Sequence, residues 1–362
     1  MSSISLGGSS AAVLTAATVA CAVLVLFLLA RAVHRGAARE ERSRTASLFR
    51  LLAGRLSGTV PAPVLRAAAR DAGSDTFWAA VEAITATLRP RERRALARAL
   101  ERSRHLAAER KVLRHDDAPV RRERAALRLG LLPVARSRRL LRHTLANGPE
   151  PLRFAAARAL AAHHDLAALG WLLTHPETLA TRPVRALSGL LRAFGPRGRA
   201  LQVTALERGG LPLVFEVAVL DALGLARCLS ARGAFESRLR AAQVDVRVAA
   251  ARALGRLGMG EAIPALMLAL TDEAWPVRAQ SASALGRLHA APAVDLLARS
   301  VTDPAWWVRH HAAYALANLG PEGRDALCEL IVRSPDAFAR EMAREALDRG
   351  SRRGPSAPTL RA

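Results

Sequence analysis

The chain is predicted to be all-α: an α-solenoid of stacked helix pairs, preceded by one transmembrane helix. Two observations carry that expectation. The first is a repeat of 31 or 32 residues, clearest in VRVAAARALGRLG from Val246, VRAQSASALGRLH from Val277 and VRHHAAYALANLG from Val308. The second is a stretch from Ala11 to Ala30 whose only polar side chains are Thr15 and Thr18, with no charged residue before Arg31.

Eight copies of the repeat can be followed. The column through Val246 reads Val120, Leu152, Val184, Phe215, Val246, Val277, Val308 and Ala339. The next column is Arg121, Arg153, Arg185, Glu216, Arg247, Arg278, Arg309 and Arg340. A period of this length with helical spacing inside each unit indicates a helical solenoid, because each unit buries its apolar face only by stacking on its neighbours. Within one unit, Val308, Ala312, Leu316 and Leu319 share one face of a helix. Gly320 and Pro321 end it, Gly by accepting a left-handed turn and Pro by breaking the hydrogen-bond ladder. Val294, Leu297 and Val301 form the stripe of a second helix, matching Ile263, Leu266 and Leu270, and Thr302, Asp303 and Pro304 turn the corner to the next unit.

These residues resemble the HEAT-repeat superfamily, and especially the bacterial repeats related to those of phycobilin lyases. The pattern of Asp, Val-Arg, paired Ala and Ala-Leu-Gly is matched best by Asp272 to Leu288 and Asp303 to Gly320. The resemblance covers about Asp116 to Gly350 and is weaker before Leu211. It implies a right-handed superhelix of helix pairs, with the Val-Arg helix lining a concave surface and the recurrent Arg and Asp bonding along the stack. Arg247, Arg278 and Arg309 are therefore expected to serve the stack. Glu216 and Ser334 depart from that ladder, so looser packing is expected there.

Twenty apolar residues in a helix span about 30 Å, the thickness of the hydrocarbon core. Arg31, Arg35, Arg39, Arg42 and Arg44 follow the span, and no basic residue precedes it. That asymmetry predicts a single-pass anchor with the C-terminal domain in the cytoplasm. A cleaved signal peptide, the rival, lacks a basic leading region and a good cleavage site. Residues 1–10 are then a short extracytoplasmic N-terminus, 11–33 the transmembrane helix and 34–45 a basic juxtamembrane segment. Residues 46–115 form a helical cap or degenerate repeats, 116–350 the solenoid and 351–362 a disordered tail. Helical stripes in the cap are expected at Val64–Arg70, Thr76–Leu88 and Arg91–Arg114, broken by Pro61, Pro63, Gly73 and Pro90.

From Arg31 to Leu145 the sequence has 27 basic and 11 acidic residues, a net of +16; the remainder carries +7, giving +23 in all. The excess beside the expected anchor suits anionic lipid, making the bilayer and its headgroups expected partners. Lys111 is the single lysine, which reads as GC-rich bacterial genome composition and places the expected anchor in the bacterial inner membrane.

No enzyme pattern emerges. Cys21, Cys228 and Cys328 are far apart and form no C-x-x-C pair, so Cys228 and Cys328 are expected to be reduced packing residues. His163-His164 and His310-His311 are adjacent pairs, which diverge on a helix and do not share a metal. Phosphate loops and nucleophile elbows are absent, and no cofactor is expected.

The remaining candidate is a ridge on the concave face. Its rows read Asp245, Ala249, Arg252, Arg256; Pro276, Gln280, Ser283, Arg287; Trp307, His311, Tyr314, Asn318; and Phe338, Met342, Glu345, Arg349. Trp275 and Trp306 occupy one corner position in successive repeats. Aromatic and arginine side chains anchor interfaces, so Trp275, Trp306, Trp307, His311, Tyr314, Arg252 and Arg287 form the candidate protein-binding site. The alternative is that the tryptophans fill gaps between repeats. The sequence thus suggests an adaptor or scaffold for a membrane enzyme or signalling complex. Nucleic-acid binding and a lyase-like, chromophore-handling role are the alternatives weighed; the first is set aside because the basic half lies beside the anchor, the second because no catalytic pair supports it.

Overall fold

The computed structural model describes residues 39–352, which are helical apart from turns and short 3-10 segments. The expected span at 11–33 lies outside the described residues, as do Arg31, Arg35 and 353–362. Among the described residues no helix is long and apolar enough to cross a membrane. Arg39, Arg42 and Arg44 are exposed on a helix over 39–56, where Arg44 pairs with Glu40 at 2.5 Å. The membrane localisation expected from the sequence is corrected on this finding: the described chain offers no bilayer-spanning element, and Arg39, Arg42 and Arg44 are ordinary helix-surface residues.

The chain divides into two compact units, Met1–Leu140 and Leu141–Ala362. After helix α1 (39–56), the first unit contains α2 (Ala62–Asp71), α3 (Ser74–Thr85), α4 (Pro90–Leu100), α5 (Arg104–His115) and α6 (Pro119–Leu131). The single stripe expected over Arg91–Arg114 is split: the chain turns at Glu101–Arg102, and the Ser103 hydroxyl accepts the His105 N–H at 3.2 Å to start α5. Phe77, Trp78, Leu96 and Leu106 are fully or almost fully buried here. His105 stacks on Phe77 at 4.2 Å, and its ring nitrogen bonds the Ala69 carbonyl at 2.9 Å, tying α5 to α2. Burial, the largest influence, pushes the His105 pKa down. Arg128 bonds Glu109 at 2.8 Å and lies over Trp78 at 5.6 Å.

Helix α7 (Ala135–Asn147) contains the boundary. The second unit continues with α8 (Glu150–Ala162), α9 (Leu166–Thr174), α10 (Val184–Ala193), α11 (Arg199–Arg208), α12 (Leu213–Leu225), α13 (Arg232–Arg238) and α14 (Val244–Leu257). It is completed by α15 (Ile263–Ala269), α16 (Trp275–Arg287), α17 (Val294–Ser300), α18 (Trp306–Asn318), α19 (Pro321–Arg333) and α20 (Ala337–Arg352). From α8 to α20 each even-numbered helix packs on the next even-numbered one, and α13, α15, α17 and α19 pack on the helix that follows each of them. This is a stack of helix pairs, as the repeat requires. The expected stripe is the core: Val246, Leu254, Val277, Leu285, Val308 and Leu316 are all 0% exposed.

Three features repeat with the sequence period. A Cβ on Gly224, Gly255 or Gly286 would lie 2.7–2.9 Å from Ala253, Ala284 or Ala315 of the next even-numbered helix, so glycine permits the close approach of these backbones. From α8 to α18 the end of each even-numbered helix leads into a residue with positive φ: His164, Gly195, Arg227, Gly258, His289 and Gly320. Only half of these are glycine, but His164 and His289 use their rings to bond the Phe194 and Asn318 carbonyls of the next repeat, at 3.1 and 2.8 Å.

The third feature is the corner. Asp272, Asp303 and Asp336 accept the N–H two residues ahead at 2.8–2.9 Å, opening α16, α18 and α20. Each also accepts from the arginine of the preceding repeat: Arg247 to Asp272 at 2.9 Å, Arg278 to Asp303 at 2.7 Å and Arg309 to Asp336 at 2.8 Å. The same arginines reach back to corner carbonyls, Arg247 to Ala241 at 2.9 Å and Arg278 to Asp272 at 2.8 Å. The looseness expected at Glu216 and Ser334 is not observed. Glu216 accepts from Arg238 at 2.6 Å, the same pairing with its charges exchanged, and Asp336 supplies the carboxylate that Ser334 lacks.

The cysteines divide. Cys228 is buried in the turn after α12, as a packing residue should be, whereas Cys328 is exposed on α19, contrary to expectation.

Candidate functional site

Trp275 and Trp306 are the first residues of α16 and α18, immediately after the Asp-closed corners. That position ends the preceding turn before the buried stripe begins at Val277 and Val308, so both indoles project outward and are 45% and 52% exposed. Trp307 is 51% exposed. On α18 five rings form one group. Trp306 stacks on His310 at 4.9 Å and meets Trp307 edge-on at 4.7 Å; His310 lies 4.3 Å from Tyr314; Trp307 is 6.2 Å from His311. The spacing 306, 310, 314 is one helical stripe, and it gives His310 a central place that the sequence analysis did not assign it. The i, i+4 rule applied to Trp306 would have found it.

Tyr314 is fixed from the next helix: its hydroxyl donates to Glu345 at 3.2 Å, and Arg349 lies over the ring at 5.5 Å. Burial, followed by the charge of Glu345, raises the Tyr314 pKa. Burial lowers both histidines, helped at His311 by His310 and Arg287 and partly opposed at His310 by Glu345. Burial thus favours the neutral form of both imidazoles.

Arginines line the adjoining helices. Arg256 donates to Asp221, and Arg252 reaches Gln280 at 3.5 Å. Arg287 is exposed on α16. The structure brings Trp306, Trp307, His311 and Tyr314 together on α18 and sets Arg252 and Arg287 on α14 and α16. Trp275 stands at the start of α16, outside the ring group. The expected ridge is not uniformly open. Ala249 and Met342 are 2% and 7% exposed, so the column through Gln280 and His311 is a seam between helices. No group of three or more His, Cys, Asp or Glu able to hold a metal ion occurs among the described residues.

The family model for HEAT repeats matches residues 216–285, 233–299 and 263–348. The part of the second unit that carries the ring group is therefore similar to HEAT repeats. No curated protein matches the chain. Among solved structures, the chain is similar to an engineered protein, with 19% identity and a TM-score of 0.40 over 84% of this chain and 98% of that one. It is also similar to human deoxyhypusine hydroxylase in complex with glycerol, with 20% identity and a TM-score of 0.31 over 87% and 98%. A mutant of Kap121p shows 14% identity and a TM-score of 0.49 over 86% of this chain and 41% of that chain.

Proposed function

We propose that this chain is a protein-interaction scaffold that binds rather than catalyses, and that its partner docks on the exposed side of α14, α16, α18 and α20. The observation that carries this reading is the ring group of α18. Trp306 and Trp307 are each about half exposed although the stripe Val308, Ala312 and Leu316 already fills the core. Large aromatics left on a surface are a liability unless something covers them, and such residues anchor interfaces. Arg287 acts on His311 from α16, and Trp275 and Arg252 stand on α16 and α14. The test is Trp307→Ala combined with Tyr314→Ala in the tagged full chain, compared with wild type as bait. Loss of the co-purifying protein at unchanged Tm supports the surface. A large fall in Tm, or undiminished capture, refutes it.

A second reading, nucleic-acid binding by the first unit, is favoured by one observation: residues 39–140 carry 24 basic and 11 acidic side chains. Duplex binding whose affinity falls steeply with salt would support it, and no binding at low salt would end it. The finer kinship with phycobilin-lyase repeats is retained only as a proposal and assigns chemistry to no residue.

A further inference from the structure

One position on the even-numbered helices, returning every 31 residues, is occupied by Arg256, Arg287, Asn318 and Arg349 on α14, α16, α18 and α20. All four are exposed or half-buried, and all four end in N–H donors. Arg256 is engaged by Asp221, and Arg349 pairs with Glu345 at 3.1 Å. Arg287 has no hydrogen-bond or ion-pair partner among the described residues. Burial, then the like charges of Arg256 and Arg252, depress its pKa, which places it in a positive field that Asp221 does not cancel. Asn318 is neutral and the outer arginines already face carboxylates, so the unneutralised Arg287 is where this row of donors complements an anion.

The spacing of the row narrows the choice. The Gly255–Ala284 and Gly286–Ala315 contacts hold these helices at close approach, so adjacent row members are separated by one interhelical step, about 8–10 Å. A peptide in the polyproline II conformation advances about 3.1 Å per residue with three residues per turn, so side chains at every third position share one side about 9 Å apart and meet successive donors. Tyr314, one turn before Asn318, offers an aromatic surface beside the row.

We infer that this row grips an acidic peptide of the protein partner in the polyproline II conformation, running across α14 to α20 with a carboxylate about every third residue and an apolar side chain against Tyr314. This inference rests on the reading that the face docks a protein. The probes are two fluorescein-labelled peptides of one composition, containing glutamates and a leucine. One carries Glu at every third position; the other carries its glutamates in a block. Fluorescence anisotropy with the full chain at physiological salt should show the spaced peptide binding about tenfold more tightly. Arg287→Gln should weaken the spaced peptide about fivefold or more, leave the block peptide nearly unaffected, and leave Tm unchanged. Equal affinities, or indifference to Arg287→Gln, would overturn the inference. So would a nucleic-acid duplex that displaces the spaced peptide more effectively than the unlabelled peptide does. If the peptides fail while Trp307→Ala with Tyr314→Ala still abolishes partner capture, the docking surface stands and only the acidic peptide is lost. If that variant captures normally, both fall.

Discussion

Two glycine-to-alanine changes in the stacked helices should have opposite signs. Gly189 lies inside α10 on its exposed side, and a Cβ there would meet nothing within 4 Å. Gly189→Ala therefore gains the helix propensity of alanine, about 1 kcal/mol. Gly286 sits where α16 meets α18, and its Cβ would lie 2.7 Å from the Ala315 Cα and 2.8 Å from the Ala315 Cβ. The clash is with backbone, so no rotamer change relieves it and the helices must part. Parting loosens the fully buried Val277, Leu285, Val308 and Leu316 around the contact. Overpacking costs about 1–3 kcal/mol, and the propensity gain returns about 1 kcal/mol of that, leaving Gly286→Ala destabilised by about 1 kcal/mol. The two variants should differ by about 2 kcal/mol, or about 4–8 °C in Tm for a unit of this size. Urea and thermal denaturation followed by circular dichroism, with wild type alongside, give the comparison. If Gly286→Ala were as stable as wild type, the close approach of α16 and α18 would not be limited by this contact, and the account of the glycine column would be wrong.

Arg227 is exposed at φ 47° and holds the left-handed position that Gly258 occupies one repeat later, so Arg227→Gly should raise stability by about 1 kcal/mol in a denaturant titration. Burial alone would raise the Asp303 pKa, but the Arg278 hydrogen bond, the Ala305 N–H and the charges of Arg278 and Arg309 outweigh it, and the pKa is lowered. The associated stability is present above the unfolded value, about 4, and is lost as pH falls through the lower folded value. Tm measured between pH 2 and 6 should thus decline less steeply for Asp303→Asn than for wild type, from a lower starting point. His310 and His311 have folded pKa values depressed first by burial, so the unfolded chain takes up protons before they do as pH falls below about 6.5. Stability should drop across that window, and His311→Gln should reduce the drop; NMR titration of the ring protons checks the direction.

Much of the second unit was legible because stacking forces one chemical solution to recur. The Val246, Val277, Val308 column, the Asp corners and the arginine ladder all follow from period and helical spacing. Less legible was anything settled by where two helices meet. Ala249 and Met342 share a column with Gln280 and His311, and only the interhelical distance decides that this column is a seam. The exchange of charges between Glu216 and Arg238 involves residues 22 apart, outside the repeat step, so no column shows it. In the first unit the stripe from Arg91 to Arg114 hides a break, because Arg-rich helix formers continue through it and Ser103 is the sole local sign. The ring group is half visible in the sequence: Trp307 and Tyr314 fall in one row of the repeat, while the Trp306–His310–Tyr314 stripe runs along the helix and crosses the rows.

The arginine ladder has a mechanical consequence. Each of Arg247, Arg278 and Arg309 holds a corner behind it and a corner ahead, so under tension an interior corner is clasped from both sides. Arg340 grips only the Ser334 and Pro335 carbonyls, and no further corner follows α20 among the described residues. Pulled along the stack, the array should therefore peel from α20 inward, each helix pair surrendering after the one beyond it has let go. An optical trap would record that as a staircase of extensions, each close to one 31-residue repeat of released chain.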